Sequence, residues 1–294
     1  MMTLRELMAT FPDNEDCKRY LQERRWPDDV VKCPRCGNDK VYGSKARPFT
    51  WQCTACGKPR HPYRFSVLVG TIFEDTKYPM KVWFEVLWSM LNAKKGISAM
   101  QIQRQIGCGS YETAFYMCHR LRAGMRDPEF RKLMGIVEVD ETFIGGKARN
   151  RHVSKRGRGT GWTGKAPVIG AISRKGNVTA QLIESTNTTT LERFVQDTVS
   201  EKVDLIATDE AGGYRKLREK GWPHESVSHS SGEYVRGEVH TANIDSFWSL
   251  LKRGVMGTFH NVSKKYLPLY LAEFQFRHNN RKNEDILGLA IAGC

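Results

Sequence analysis

The 294-residue sequence has no apolar run approaching the roughly 18 to 20 residues needed to cross a bilayer, which excludes a helical membrane protein. Its first residues, MMTLRELMATFPDNEDCKRYLQERRWP, lack the continuous apolar core of a secretory signal, and no lipid-anchor motif is visible. A cytoplasmic protein without a membrane partner is therefore expected. Acid is scarce beside base: 32 Asp and Glu stand against 46 Lys and Arg, a formal net charge of +14. The deficit is sharpest between Lys147 and Lys165, where no acid occurs. Such a balance favours a polyanionic partner, with nucleic acid first.

What is present is enough to fold. Apolar residues make up 40% of the chain, and its length suits two or three domains. Of the eight cysteines, Cys17, Cys108, Cys118 and Cys294 are isolated and read as small core residues. The other four form CPRCG and CTACG, with Cys33, Cys36, Cys53 and Cys56 in two Cys-x-x-Cys knuckles, each followed by glycine. In a reducing compartment this spacing predicts one tetrahedral, structural Zn2+ rather than disulfides, with a rubredoxin-like iron or a redox dithiol as the alternatives. A ribbon this short cannot build much core, so metal binding supplies its folding energy. Basic residues interleaved with Tyr42, Phe49, Trp51 and Tyr63 suit a nucleic-acid surface.

Downstream, Val82, Trp83, Val86, Leu87, Met90 and Leu91 recur at helical spacing. ISAMQIQRQIG then predicts a helix with Ser98 at its N-cap, and YETAFYMCHRLRAGM a second one beyond a glycine-containing turn. That outline is a helix-turn-helix, with Arg120 and Arg122 on its second helix expected to contact DNA.

In IVEVDETFIGGK, a β-branched alternating run ends in Asp140 and Glu141. The basic stretch that follows carries Lys147, Arg149, Arg151, Lys155, Arg156, Arg158 and Lys165, and reads as a loop that holds DNA. APVIGAIS and NVTAQLIES predict two more strands, TTLERFVQDTVS a helix, and KVDLIATDE a strand ending at Asp209. In a ribonuclease-H-like sheet the first and fourth strands are neighbours, which would bring Asp140 to Asp209. Two adjoining carboxylates repel unless a cation lies between them, and hard oxygen ligands suit Mg2+ or Mn2+. In HTANIDSFWSLLKR, Asp245 opens an amphipathic helix and Lys252 lies seven residues on, close to two turns, on the same face. Asp245 is expected to supply a third acid and Lys252 to reach phosphate. His240, Asn243 and His260 lie nearby, suited either to orienting phosphate or water or to structural hydrogen bonds.

VEVDETFIGGK, TDEAGGY and HTANIDSFWSLLKRGVMGTFHNVSKKYLPLYLAEFQFRHNNR, with GTIFEDTKYPMKVWF and KKGISAMQIQRQIG upstream, resemble the bacterial insertion-sequence transposases related to the Merlin group. The resemblance runs from about residue 15 to 285. It implies a zinc ribbon, a helix-turn-helix and a DDE-type nuclease domain with a ribonuclease-H-like mixed sheet and flanking helices. It makes Asp140 and Asp209 the first two catalytic acids and matches Lys252 to the family lysine. The third acid falls on Asp245, where relatives commonly have glutamate; Glu238 is a nearby substitute. The implied activity is cleavage of an element's ends and their joining to target double-stranded DNA by two-metal phosphoryl transfer, by a homodimer or higher oligomer that is nucleoid-associated when bound.

Two other readings use the same residues: a transposase-derived DNA-binding regulator with a degenerate nuclease core, and a metal-dependent nuclease without strand transfer. The expected organisation is a helical segment over 1–30, the zinc ribbon over 31–75 and the helix-turn-helix over 76–130. An α/β catalytic domain over 131–294, with the basic loop at 145–165, completes it.

Overall fold

A computed structural model of the chain describes residues 2–58, 61–125, 131–146, 164–209, 212–227, 235–237 and 239–294. The chain divides into two compact units, Met1–Arg126 with Lys282–Cys294, and Asp127–Arg281.

The first unit opens with two capped helices. Helix α1 (Leu4–Thr10) starts in a reciprocal Thr3–Glu6 capping box, and α2 (Asn14–Arg25) on the Asp13 carboxylate. A three-stranded antiparallel ribbon follows: β1 (Val41–Gly43), β2 (Thr50–Lys58) and β3 (His61–Ser66). Trp51 stacks on Phe65 and meets Trp26 edge-on, so the aromatics expected at a surface partly serve as the ribbon's small core. Helix α3 (Met80–Asn92) buries Trp83, Phe84, Val86, Leu87 and Met90. Helices α4 (Ala99–Ile106) and α5 (Tyr111–Gly124) are capped by Ser98 and Ser110. Gly107, at φ 64°, supplies the left-handed turn between them.

The sequence assigns everything after residue 131 to the catalytic domain, but the chain's last segment belongs to the first unit. Asp285 accepts from Gly288 N to cap α10 (Ile286–Ala292) and also pairs with Arg24 and Tyr20 of α2. The Cys294 carbonyl accepts from Ile72 N at 2.9 Å. An apolar helix pattern specifies that a face is buried and leaves open which unit buries it.

The second unit is a five-stranded mixed sheet flanked by helices. Its strands are β4 (Ile136–Ile144), β5 (Ala166–Ser173), β6 (Val178–Leu182), β7 (Leu205–Thr208) and β8 (His224–Ser226), in the order β6-β5-β4-β7-β8. β4 pairs antiparallel with β5 and parallel with β7, and β7 parallel with β8. The first and fourth strands are therefore neighbours, as a ribonuclease-H-like sheet requires. The three-residue β8 is too short to show any periodicity and is absent from the sequence reading.

Alternation along β4 gives its two faces different tasks. Val137 and Val139 join Ile169, Ala171 and Ile206 in a core covered by α6 (Thr188–Thr198), whose Leu191, Phe194 and Val195 pack there. On the other face, α8 (Ala242–Gly254) and α9 (Leu267–Asn279) bring Phe247, Trp248, Leu251, Leu271 and Phe274 onto Val168 and Ile172. α9 also covers the outer edge of β6. The Gln275 side-chain amide bonds both N and O of Ala180, at 2.9 and 3.0 Å, and that of Asn279 does the same at Val178, at 2.8 and 3.0 Å. Unpaired strand groups are thus satisfied by side chains instead of another strand.

Gly170, opposite Asp140, fixes how closely α8 approaches: a Cβ there would lie 2.6 Å from the Trp248 ring. A strand-interior glycine ordinarily costs about 0.5–1 kcal/mol relative to alanine. Here overpacking, about 1–3 kcal/mol, outweighs that gain. We expect Gly170→Ala to lower the melting temperature by roughly 2–8 °C in thermal denaturation; an increase would show that α8 is free to retreat from the sheet.

Candidate active site

β7 stops at Thr208, whereas β4 runs on past Asp140 to Ile144, so Asp140 lies within its strand and not at the end that the sequence suggests. The parallel register, which pairs Glu138 with Ala207, carries Asp140 beside Asp209 where β7 gives out. Glu141 joins them: one carboxylate oxygen from each of Asp140, Glu141 and Asp209 lies within 4.8 Å of the others. Neighbouring side chains on a strand normally point to opposite faces, so Glu141 leaves the Asp140 face and approaches from the α6 side. On that side stands Tyr214, buried in a 3-10 turn (Gly212–Tyr214) between β7 and the short helix α7 (Lys216–Glu219). Gly213 permits this packing, because a Cβ would sit 2.5 Å from Leu191 Cδ1.

The three acids line a cavity of about 650 Å³ that also receives Lys165, Lys252 and Met256. Lys252 reaches it from the last turn of α8, which continues into a π turn (Val255–Phe259). Asp245, one side of the same helix, is exposed and accepts from Thr241 Oγ1 at 3.1 Å. It is near enough to act electrostatically on Asp140 but is not among the three closely grouped acids.

Crowding and burial raise the proton affinity of Asp140 and Glu141. Desolvation, then the charges of Asp209, Glu141 and Asp245, push Asp140 up to about 7. Glu141 also rises to about 7, mainly through desolvation, with the Tyr214 hydroxyl opposing it and Asp209 adding to it. The donor set is hard oxygen, its members converge, and a cation would relieve their repulsion, so the residues fit a divalent metal ion.

The cysteines converge as the knuckles predict. Cys33 and Cys56 sulfurs are 3.8 Å apart and those of Cys36 and Cys53 are 3.7 Å apart. A tetrahedron with Zn–S bonds of about 2.3 Å has edges of about 3.8 Å, so the four sulfurs fit one zinc ion. Hydrogen bonding from the Cys56 thiol brings Cys36 down to about 7, and the same contact holds Cys56 at about 12.

The ISXO2-like transposase domain, as a family model, matches residues 132–279, half of the chain. The chain belongs to this transposase family. A transposase zinc-ribbon domain matches residues 12–59, around the four-cysteine cluster. A relative 28% identical over 284 residues, covering 92% of each chain, is an uncharacterized protein in transposable element ISH50 of Halobacterium salinarum. A solved simian T-cell lymphotropic virus intasome, in complex with PP2A regulatory subunit B56 gamma, matches at 14% identity and a TM-score of 0.28. It covers 59% of this chain and 67% of that one, a likeness too loose to bear on fold or function.

The transposase's structure corrects one expected DNA contact and qualifies another. Arg122 is 2% exposed, with Nη1 3.3 Å from His119 Nδ1, and so cannot reach DNA. It follows Cys118 by one turn, which puts it on the buried face of α5. Arg120 is engaged internally: Nη2 donates to the Glu74 carbonyl at 2.6 Å and the guanidinium lies over Trp83. The exposed part of α5 is its N-terminal half, with Tyr111, Glu112 and Tyr116. Of the loop cations, Lys165 lies at the cavity, while Lys147, Arg149, Arg151, Lys155, Arg156 and Arg158 fall outside the described residues, as does Glu238. His240 and Asn243 are turned to Glu138, and His260 ends the π turn at φ 59°.

Folding keeps Asp140 protonated to about pH 7, while its ordinary value is 3.8. Its contribution to stability is therefore complete below pH 3.8 and is lost as pH rises through about 7. Asp140→Asn mimics the protonated form. In magnesium-free buffer with zinc retained, we expect it to melt higher than the parent at pH 8, by about 1–3 kcal/mol after allowance for solvent screening. The gain should shrink steadily as pH is lowered toward 5. An equal gain at both pH values would contradict charge crowding at Asp140.

Proposed function

We propose that this transposase cleaves the ends of its insertion sequence and joins them to target DNA by metal-dependent phosphoryl transfer. The observation that carries this reading is the convergence of Asp140, Glu141 and Asp209 in one cavity with Lys252. Asp140, Asp209 and Asp245 would hold two Mg2+ or Mn2+ ions. When bound, the metal ions supply the positive charge that activates the attacking oxygen and stabilises the leaving one. Lys252 and Lys165 bind phosphate oxygens and orient the scissile group in line. The net charge of +14 favours double-stranded DNA as partner, and the loop over 145–165 holds its backbone. Joining two ends calls for at least a homodimer on DNA, working in the cytoplasm at the nucleoid.

A second reading concerns the third ligand alone. Glu141 belongs to the close group and Asp245 does not, which favours Glu141 as the acid that completes the site.

Cleavage and joining assays on oligonucleotides bearing the element's ends separate these possibilities. Asp140→Ala and Asp209→Ala should each lower magnesium-dependent cleavage by about a thousandfold or more while end binding persists. Asp245→Ala should do likewise and Asp245→Glu should retain activity. An active Asp245→Ala beside a dead Glu141→Ala would transfer the third role to Glu141, and beside a dead Glu238→Ala to Glu238. Cleavage without joined product would identify a nuclease, and end binding without any cleavage a regulator.

A further inference from the structure

Glu138 lies two residues before Asp140 on the same face of β4, and it is completely buried. A buried carboxylate is costly unless its charge and lone pairs are met. Here both oxygens are occupied. Oε2 accepts from the backbone N of Asn243 at 2.8 Å and of Ile244 at 3.1 Å; Oε1 accepts from Asn243 Nδ2 at 2.7 Å and Arg174 Nε at 3.0 Å. His240 Nδ1 lies 3.3 Å from Oε1.

The two amides belong to the first turn of α8, where the one local acceptor among the described side chains, His240 Nδ1, takes only the Ala242 amide, at 3.3 Å. Thr241, in the N-cap position at φ −114° and ψ 16°, makes no side-chain cap bond and gives its hydroxyl to Asp245. A strand residue distant in sequence thus does the work that Ser, Asp or Asn normally does beside the helix. Its negative charge also faces the positive end of the helix dipole. The consequence is geometric. Asp140 on β4 and Asp245 and Lys252 on α8 are referred to one another through a single carboxylate next to the site.

We propose that Glu138, braced by Arg174, is the positioning residue that sets the helix carrying Asp245 and Lys252 against the strand carrying Asp140. The part concerning Asp245 rests on its proposed role as a metal ligand. Glu138 itself touches neither metal nor DNA.

The test uses the full-length, zinc-loaded protein and the isosteric Glu138→Gln. Its amide oxygen can still accept from the backbone, while its NH2 confronts the Asn243 and Arg174 donors. Two quantities are measured: hydrogen exchange of the segment 241–246, and the Mn2+ concentration giving half-maximal thermal stabilisation. We expect exchange there to quicken by roughly tenfold or more, the scale of a lost charged hydrogen bond, while β5 stays protected. The Mn2+ midpoint should rise severalfold, and Arg174→Gln should move both readouts in the same direction to a smaller extent. Unchanged exchange at 241–246 would overturn the proposal. So would an unmoved Mn2+ midpoint in Glu138→Gln if Asp245→Ala shifts it, because a cap without influence on the site is merely structural. Faster exchange in Glu138→Gln with an unmoved midpoint in Asp245→Ala would instead remove Asp245 as ligand, leaving Glu138 to set the helix for Lys252.

Discussion

Mutual repulsion among Asp140, Glu141 and Asp209 is the constraint around which the second unit is built. Three carboxylates whose oxygens approach within 4.8 Å oppose their own convergence, and burial strengthens the opposition. Only a stiff frame can hold them there without a cation. The sheet supplies that frame: the parallel register of β4 with β7 sets Asp140 beside Asp209, and Asp140 is held mid-strand opposite Gly170 of β5. What makes the site poor as stable structure makes it suitable for binding a doubly charged ion.

The rest of the unit supports this rim. Val137 and Val139 anchor β4 to the α6 core, and Gly170 admits the Trp248 ring so that α8 lies close over the opposite face. At the far edge, Gln275 and Asn279 occupy the backbone of β6 and spare the sheet an open strand. Lys252 emerges where α8 gives way to a π turn, a departure from regular helix that often accompanies functional residues. Each of these features is ordinary packing, yet together they bring Lys165, Lys252 and the acids to one cavity.

Much of this was legible in the sequence because its signals are local and periodic. The Cys-x-x-Cys spacing, Ser98 as a cap, and the alternation that carries Asp140 depend on residues within one turn or one strand. The neighbouring of β4 and β7 followed from fold topology. What escaped the sequence depends on tertiary neighbours. Strict alternation puts Glu141 on the wrong face, and only Tyr214, delivered by the turn after β7, makes that face part of the site. Glu138 looks like a flaw in an apolar strand until the first-turn amides of α8 are set against it. Arg122 looks like a surface cation because charge suggests solvent, whereas its spacing from Cys118 already favours the buried face. The docking of α10 on α2 is likewise invisible to periodicity, since it rests on Asp285 meeting Arg24 across the length of the chain.

Calorimetric titration of the zinc-loaded, DNA-free protein with Mn2+ at pH 7, repeated in buffers of different ionisation enthalpy, tests the central claim most directly. Asp140 and Glu141 each sit near pH 7, so metal that binds their carboxylates must displace protons. We expect saturable Mn2+ binding whose apparent enthalpy varies with the buffer, reporting net proton release, and its loss in Asp209→Asn. Binding that releases no protons and survives Asp209→Asn would place the metal elsewhere and contradict the carboxylate site.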